Sequence, residues 1–465
     1  MGVSPLKQIM NSKTFDQYLT DNHDRLLEDY KDFLRQPSVA ATGEGMTEMA
    51  ALVARRLATL GATVQIVPTE AGAPPVVWAE IGEGDKTLLI YNHYDVQPVE
   101  PLELWESPPF EPTIRDGKIY ARGAADDKGE LVTRIHAIEA WLKTQGPLPF
   151  RIKWLIEGEE EISSPHLHRW IEKHRDWLVG ADGCLWEFGG FDDQGRFELT
   201  MGVKGICYVE LHVQGVSHDL HSSLAAIAPN AAWRLAWALN TIKGPDERIL
   251  IDGYYDHVRA LSPAEEAILR EMPFEPEKEA AFKAKWGIDG FVTGVTGYDA
   301  IKRLFFQPTA TICGITTGWQ GTGPKTVLPA KAMAKIDFRL VPNLTPEIVV
   351  DLLRKHLDAR GFSDVEIKLL GGYRSELSDV NAGIVHACAR AAERTYGQKP
   401  VKVLLSPGSG PMWSLSSFIG GVPVVCAGIG HPNALVHSPN ENTILANYYA
   451  GMRFIGALID EFAAG

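Results

Sequence analysis

Carboxylates and histidines follow short apolar runs at several places in this chain, and they are the residues that could do chemistry. Residues 155–164 read LIEGEEEISS, which sets Glu157, Glu159, Glu160 and Glu161 within five positions. Like charges so close repel one another and hold water strongly, so the run is either a solvated turn or a cation site. The adjacent Glu160 and Glu161 could divide labour, one binding a metal and the other taking a proton from a metal-activated water. NHYDV (92–96) follows the run TLLIY. His93 is a candidate metal ligand there, with Asp95 able to hold its imidazole in one tautomer. YARGAADDKGELV (120–132) delivers Asp126 and Asp127 from a glycine turn to the start of a helix, where plain capping would also explain them. Glu187 ends the run GCLW, and His431 and His437 follow VPVVCAGIG in a loop rich in turn formers.

Each segment alone could be a surface turn; together they converge. In an open α/β sheet, ligands gather where parallel strands end at their carboxyl side. Two histidines and three carboxylates make a mixed nitrogen and oxygen set suited to zinc. Five ligands exceed one tetrahedral zinc, whereas a carboxylate shared between two metals about 3.5–4 Å apart would use them all.

The elements that must position these residues are of two kinds. TLLIY (87–91), WLI (154–156), GCLW (183–186) and VPVVCAGIG (422–430) are continuous apolar runs, suited to a mostly parallel central sheet covered by helices. GELVTRIHAIEAWLKT (129–144) and AGIVHACARAAERTYG (382–397) are predicted helices between them. CYVELHV, KAMAKIDFRL and DVEIKL instead alternate apolar with polar residues, as antiparallel strands do. Helices are predicted to begin near Pro229, at Thr345-Pro346 and at the capping box Ser262–Glu265. The expected architecture is an α/β domain, residues 1–200 and 376–465, with an inserted α+β domain at 201–375 that contains an antiparallel sheet; residues 245–308 form a longer excursion within it.

Composition narrows the function. The 465 residues carry a net charge of −14, which argues against nucleic acid and anionic membrane surfaces as partners. No run approaches a membrane span, and no signal peptide is read at the amino terminus, where Met1-Gly2 and Ser4 match a myristoylation signal poorly. Cys184, Cys207, Cys313, Cys388 and Cys426 form no paired motif and read as free thiols in a reducing cytoplasm.

The motifs NHYDVQP, ARGAADDKGE, IEGEEEISS, DLHSS, KTVLPAKAMAKIDFRLVP and ALVHSPNE occur in this order. The set resembles the di-zinc metallopeptidases that include glutamate carboxypeptidase, aminoacylase, succinyl-diaminopimelate desuccinylase, acetylornithine deacetylase and the carnosinase-type dipeptidases, the last most of all. The resemblance implies two zinc ions (manganese or cobalt as substitutes), with His93 and Glu187 on one, Glu161 and His437 on the other, and Asp126 bridging. It implies Glu160 as general base, Asp95 orienting His93, and a homodimer through the inserted lid domain in which His221 reaches the partner's site. Arg339 would take a substrate carboxylate, as a guanidinium suits; as a residue on the polar face of its strand it could also be ordinary. The implied reaction is amide hydrolysis of dipeptides or short peptides with a free carboxylate. One departure stands out. The family's dipeptidases carry an acid in the loop matching LLSPGSGPMW (404–413); here Gly408, Ser409 and Gly410 offer only backbone and hydroxyl groups, which keeps an N-acyl-amino-acid deacylase as the alternative. An inactive scaffolding homologue is the third reading, set against the presence of Glu160 and every implied ligand.

Overall fold

The computed structural model describes residues 10–272, 274 and 276–465; the Met1-Gly2 stretch lies outside them. The chain divides into two compact units. One runs to Gly202 and resumes at Ser378–Leu404 and Ser414–Gly465; the other comprises Val203–Leu377 and Leu405–Trp413.

The first unit is built on a sheet ordered Thr63–Val67, Val76–Ile81, Arg151–Glu157, Thr87–His93, Gly183–Trp186, Val424–Cys426, Phe197–Thr200 and Val401–Val403, with Gly190–Phe191 beside Phe197–Thr200. The central strands are parallel and the first two antiparallel. The continuous apolar runs exist because these strands are covered on both faces. Leu89, Ile90, Leu155 and Ile156 are buried, each contributing about 1.5–3 kcal/mol over exposure. The covering helix Lys128–Thr144 is buried at every position from Lys128 to Trp141, so its pattern is not amphipathic. Leu445–Ala464 packs on it and on Gly383–Tyr396.

Two boundaries differ from the sequence pattern, for local reasons. The TLLIY strand runs on to His93, since Asn92 and His93 keep pairing with Ile156 and Glu157. VPVVCAGIG leaves the sheet after Cys426, and the Ile429 N–H goes instead to the Glu130 carboxylate at 2.6 Å.

The second unit contains an antiparallel sheet ordered Thr309–Thr317, Lys331–Leu340, Gly205–Gln214 and Glu366–Tyr373. Its alternating strands bury Cys207, Val209, Leu211, Ile336 and Phe338 in one core with residues of the helices Ala231–Ile242 and Pro346–Ala359. The caps set where the helices begin. The Asn230 side chain accepts from Ala232 and Trp233 N–H, so the first helix starts at Ala231, just after Pro229 as expected. Thr345 accepts from Ile348 N–H ahead of Pro346, and the Ser262–Glu265 capping box is formed.

Candidate metal centre

The adjacent parallel strands ending at Glu157, His93, Trp186 and Cys426 carry the candidate ligands at, or just beyond, their carboxyl ends. His93 Nε2 lies 3.0 Å from Asp126 Oδ1 and 3.5 Å from Glu187 Oε2. Asp126 Oδ2 lies 3.1 Å from His437 Nε2, which is 3.0 Å from Glu161 Oε2. Asp126 thus meets both imidazoles, one with each oxygen. His93, Asp127 and Glu187 each bring a donor atom within 4.8 Å of the others, as do Asp126, Glu161 and His437. Asp127 is the addition the sequence reading did not assign. It stands at the N-cap of Lys128–Thr144 but makes no capping hydrogen bond. Its Oδ2 accepts from Asn92 Nδ2 at 2.6 Å and from His93 N–H at 3.0 Å, so capping does not account for the DD pair. His431 is a loop residue, with Nε2 3.1 Å from Asn442 Oδ1.

These residues fit a cation. Among the described residues, Asp95, Asp126, Asp127, Glu160, Glu161 and Glu187 form no ion pair with lysine or arginine; Asp95, Asp126, Glu161 and Glu187 pair only with the two histidines. Glu187 Oε2 and Asp127 Oδ1 are buried without a hydrogen-bond partner. A buried anionic oxygen left in that state is costly, and a divalent metal removes the cost. Proton affinities point the same way. Burial, then crowding by neighbouring carboxylates, holds Glu160 and Glu187 well above the usual carboxylate range against the pull of His93. Burial opposes charge on His93, but Glu187, Asp126 and Asp95 outweigh it and raise its pKa well above normal. Contact with Asp126 and then Glu161 lifts His437 to about 10. The crowding that raises these proton affinities equally favours a bound cation.

Supporting residues fix the candidate ligands. Asp95 is fully buried; its Oδ1 lies 3.3 Å from His93 Nδ1. The same carboxylate accepts from Glu160 N–H at 3.2 Å and Glu161 N–H at 3.0 Å, so it also holds the acidic turn Glu160–Ile162. Gln97 Nε2 donates to Glu161 Oε2 at 2.8 Å. Arg134, buried in its helix, donates to the Tyr91 and Trp186 carbonyls and to Asn92 Oδ1, tying together the strands that carry His93 and Glu187. Glu441 accepts from the N–H groups of Gly123, Ala125 and Asp126 and from Arg122, and so clamps the loop that bears Asp126. His437 holds φ 62°, with Leu435 and Asn440 also left-handed. Such backbone costs about 1–3 kcal/mol per residue and gathers at ligand sites. Sequence reading missed Arg134, Gln97 and Glu441; the glutamate closing SPNE, inside a motif already singled out, was the available signal.

The other two glutamates of the acidic run have structural partners. Glu157 is buried and accepts from Tyr91 Oη at 2.5 Å and Ser164 Oγ at 2.9 Å. Glu159 meets His166 Nδ1 at 2.8 Å. Between them Gly158 passes the Tyr94 ring, where a Cβ would come within 2.4 Å.

In the second unit His221 is exposed, with Nδ1 2.8 Å from Ser223 Oγ and Nε2 3.3 Å from Thr326 Oγ1. Arg339 donates to Asp337 Oδ2 and to Ser409 Oγ, each at 3.1 Å. Gly408 N–H donates to Ser406 Oγ within the loop, and Gly410 follows Ser409.

Residues 89–461 match the model of peptidase family M20/M25/M40. The chain is 26% identical to the Beta-Ala-His dipeptidase of Rattus norvegicus, over 96% of this chain and 94% of that protein. It is 29% identical to the Cys-Gly metallodipeptidase dug1 of Schizosaccharomyces pombe, over 90% and 91%. Among solved structures, an M20 family metallo-carboxypeptidase, Sso-CP2 from Sulfolobus solfataricus, superposes with a TM-score of 0.89 at 37% identity, covering 95% of this chain and 99% of that one.

Proposed function

The chain belongs to peptidase family M20/M25/M40, and from that premise we propose that it hydrolyses the amide bond of dipeptides or short peptides ending in a free carboxylate. Asp126 carries the reading: its two oxygens meet His93 and His437, which in turn meet Glu187 and Glu161. Two zinc ions held by His93, Glu187, Glu161, His437 and the shared Asp126, or manganese or cobalt in their place, would supply a water of lowered pKa and a Lewis acid. Glu160 takes a proton from the attacking water and passes it to the leaving amine. Asp95 keeps the His93 ring and the 160–161 backbone in place, and Asp127 secures the strand end beneath it. His221, contributed by a partner copy, donates to the amide oxygen as negative charge develops there. Arg339 receives the substrate carboxylate, with Gly408, Ser409 and Gly410 beside the peptide. Similarity to dipeptidases and to a metallo-carboxypeptidase supports this substrate class.

Homodimerisation through the second unit is supported by its exposed apolar surface. Trp233 and Trp237 are 61% and 56% exposed, and Ile312 and Ile315 are half exposed on an edge strand of the sheet. Five free cysteines support a reducing cytoplasm. Among the described residues no helix is long and apolar enough to cross a membrane.

The test is Glu160→Gln, which lowers kcat by about 10²–10⁴-fold while metal stays bound. Retained hydrolysis contradicts the base assignment, and metal analysis far below about two ions per chain contradicts the two-metal site. The loop acid absent from 404–413 favours the second reading, an N-acyl-amino-acid deacylase. Matched dipeptides and N-acetyl amino acids separate the two, and turnover of the acetylated compounds alone sinks the dipeptidase reading.

A further inference from the structure

Lys204 stands immediately before the strand Gly205–Gln214 and is only 3% exposed. Its ammonium donates to the Gln307 carbonyl at 2.7 Å. Among the described residues it has no carboxylate partner; the charged group that acts on it is Arg339. Burial, and then that like charge, pull its pKa down to about 8. A buried cation facing a second cation is unfavourable unless an anion completes the set. Asp337 accepts from Arg339 alone, and so leaves Lys204 unneutralised. The glycine-rich loop joins the assembly. Lys204 N–H donates to the Ser406 carbonyl, and Ser409 Oγ accepts from Arg339.

We infer that Lys204 is a second cation of the substrate-carboxylate subsite, an inference that rests on Arg339 receiving that carboxylate. Arg339 supplies directed hydrogen bonds and Lys204 supplies charge, so the bound carboxylate becomes the counter-ion that Lys204 otherwise lacks. Lys204 is therefore a determinant of specificity for a free carboxylate over an amide.

The experiment compares a peptide with its C-terminal primary amide on wild type, Lys204→Gln, Lys204→Met, Lys204→Arg and Arg339→Met. Glutamine keeps a donor for Gln307 and removes only the charge, so it serves where methionine prevents folding. Lys204→Gln raises KM for the free carboxylate by about 10–100-fold, leaves kcat within about threefold, and does not move KM for the amide. Lys204→Arg retains most of the preference. If Lys204→Gln keeps the preference that Arg339→Met loses, or weakens both substrates equally, Lys204 only anchors the Gln307 carbonyl and the inference falls alone. If wild type makes no distinction between acid and amide, the Arg339 reading falls and takes the inference with it.

Discussion

Glutamine in place of Glu441 tests whether the loop bearing Asp126 is held by charge or only by shape. The Glu441 carboxylate accepts from Gly123 N–H at 3.0 Å and Arg122 Nη1 at 2.8 Å on one oxygen. Its other oxygen accepts from Ala125 N–H at 2.9 Å and Asp126 N–H at 3.0 Å. Both Glu441 and Arg122 are 1% exposed. An amide of the same shape has one acceptor oxygen, so in either orientation its NH₂ faces two donors. Arg122 loses its counter-ion and keeps the Pro98 carbonyl at 2.9 Å and the Ser438 carbonyl at 3.4 Å. Unpairing a buried ion pair costs about 3–5 kcal/mol, and these remaining bonds set the loss at the lower end, about 3 kcal/mol. Metal affinity falls about 10–100-fold, as for other groups that orient a ligand from behind. Urea unfolding of metal-free protein reads the first effect, and competition with a chelator for zinc reads the second. The double variant Arg122→Met/Glu441→Leu should recover part of the stability, because it leaves no unpaired charge. Stability within about 0.5 kcal/mol of wild type would refute the charge argument. A loss of stability with unchanged zinc affinity would refute the clamp on Asp126.

Three further outcomes follow from other contacts. Asp95→Ala removes the carboxylate beside the His93 ring, whose Nδ1 keeps the residue-95 carbonyl at 3.1 Å, and frees both N–H groups of the acidic turn, so zinc affinity should drop about 10–100-fold, and competition with a chelator that finds no drop excludes the positioning role of the carboxylate. Gly158→Ala drives a Cβ against Tyr94 and should cost about 1–3 kcal/mol in a urea titration, with no cost meaning that the ring moves freely aside. Burial alone would raise the Asp29 carboxyl, but His136 and Arg56 outweigh it and hold it down to about 2. A depressed carboxyl stabilises the fold above its unfolded pKa and ceases to as pH falls through the folded one, so the advantage of wild type over Asp29→Asn should shrink between about pH 5 and pH 2. After solvent screening the change is about 1–2 kcal/mol, and a constant gap across that range would contradict it.

Much of this arrangement is legible in sequence because each candidate ligand follows a pattern that fixes its place. TLLIY, WLI and GCLW are too uniformly apolar for a half-exposed sheet, and the residue types just past them are metal-binding types. Alternation in KAMAKIDFRL likewise marks a sheet with one buried face. What stayed hidden depends on pairing across long chain separations. Asp127 could be read as a cap because capping is a local pattern, whereas its bond to Asn92 is visible only once the strand and helix meet. Glu441 and Arg134 act largely through backbone groups, which leave no residue type to recognise.

The strand order also links the site to folding. Val424–Cys426 pairs with Gly183–Trp186 on one side and meets Phe197–Thr200 on the other, although the whole second unit is made between Phe197–Thr200 and it. His437 lies beyond that late strand, so the Asp126, Glu161 and His437 group is complete only when the central sheet is. The unfolded chain spaces the same carboxylates far apart, and folding without a cation forces their charges together. A metal that binds the native arrangement alone then stabilises it by RT ln(1 + [M]/Kd), about 4 kcal/mol at a thousandfold excess over Kd. The crowded acids, costly to gather without a counter-charge, would thereby couple metal binding to the native topology.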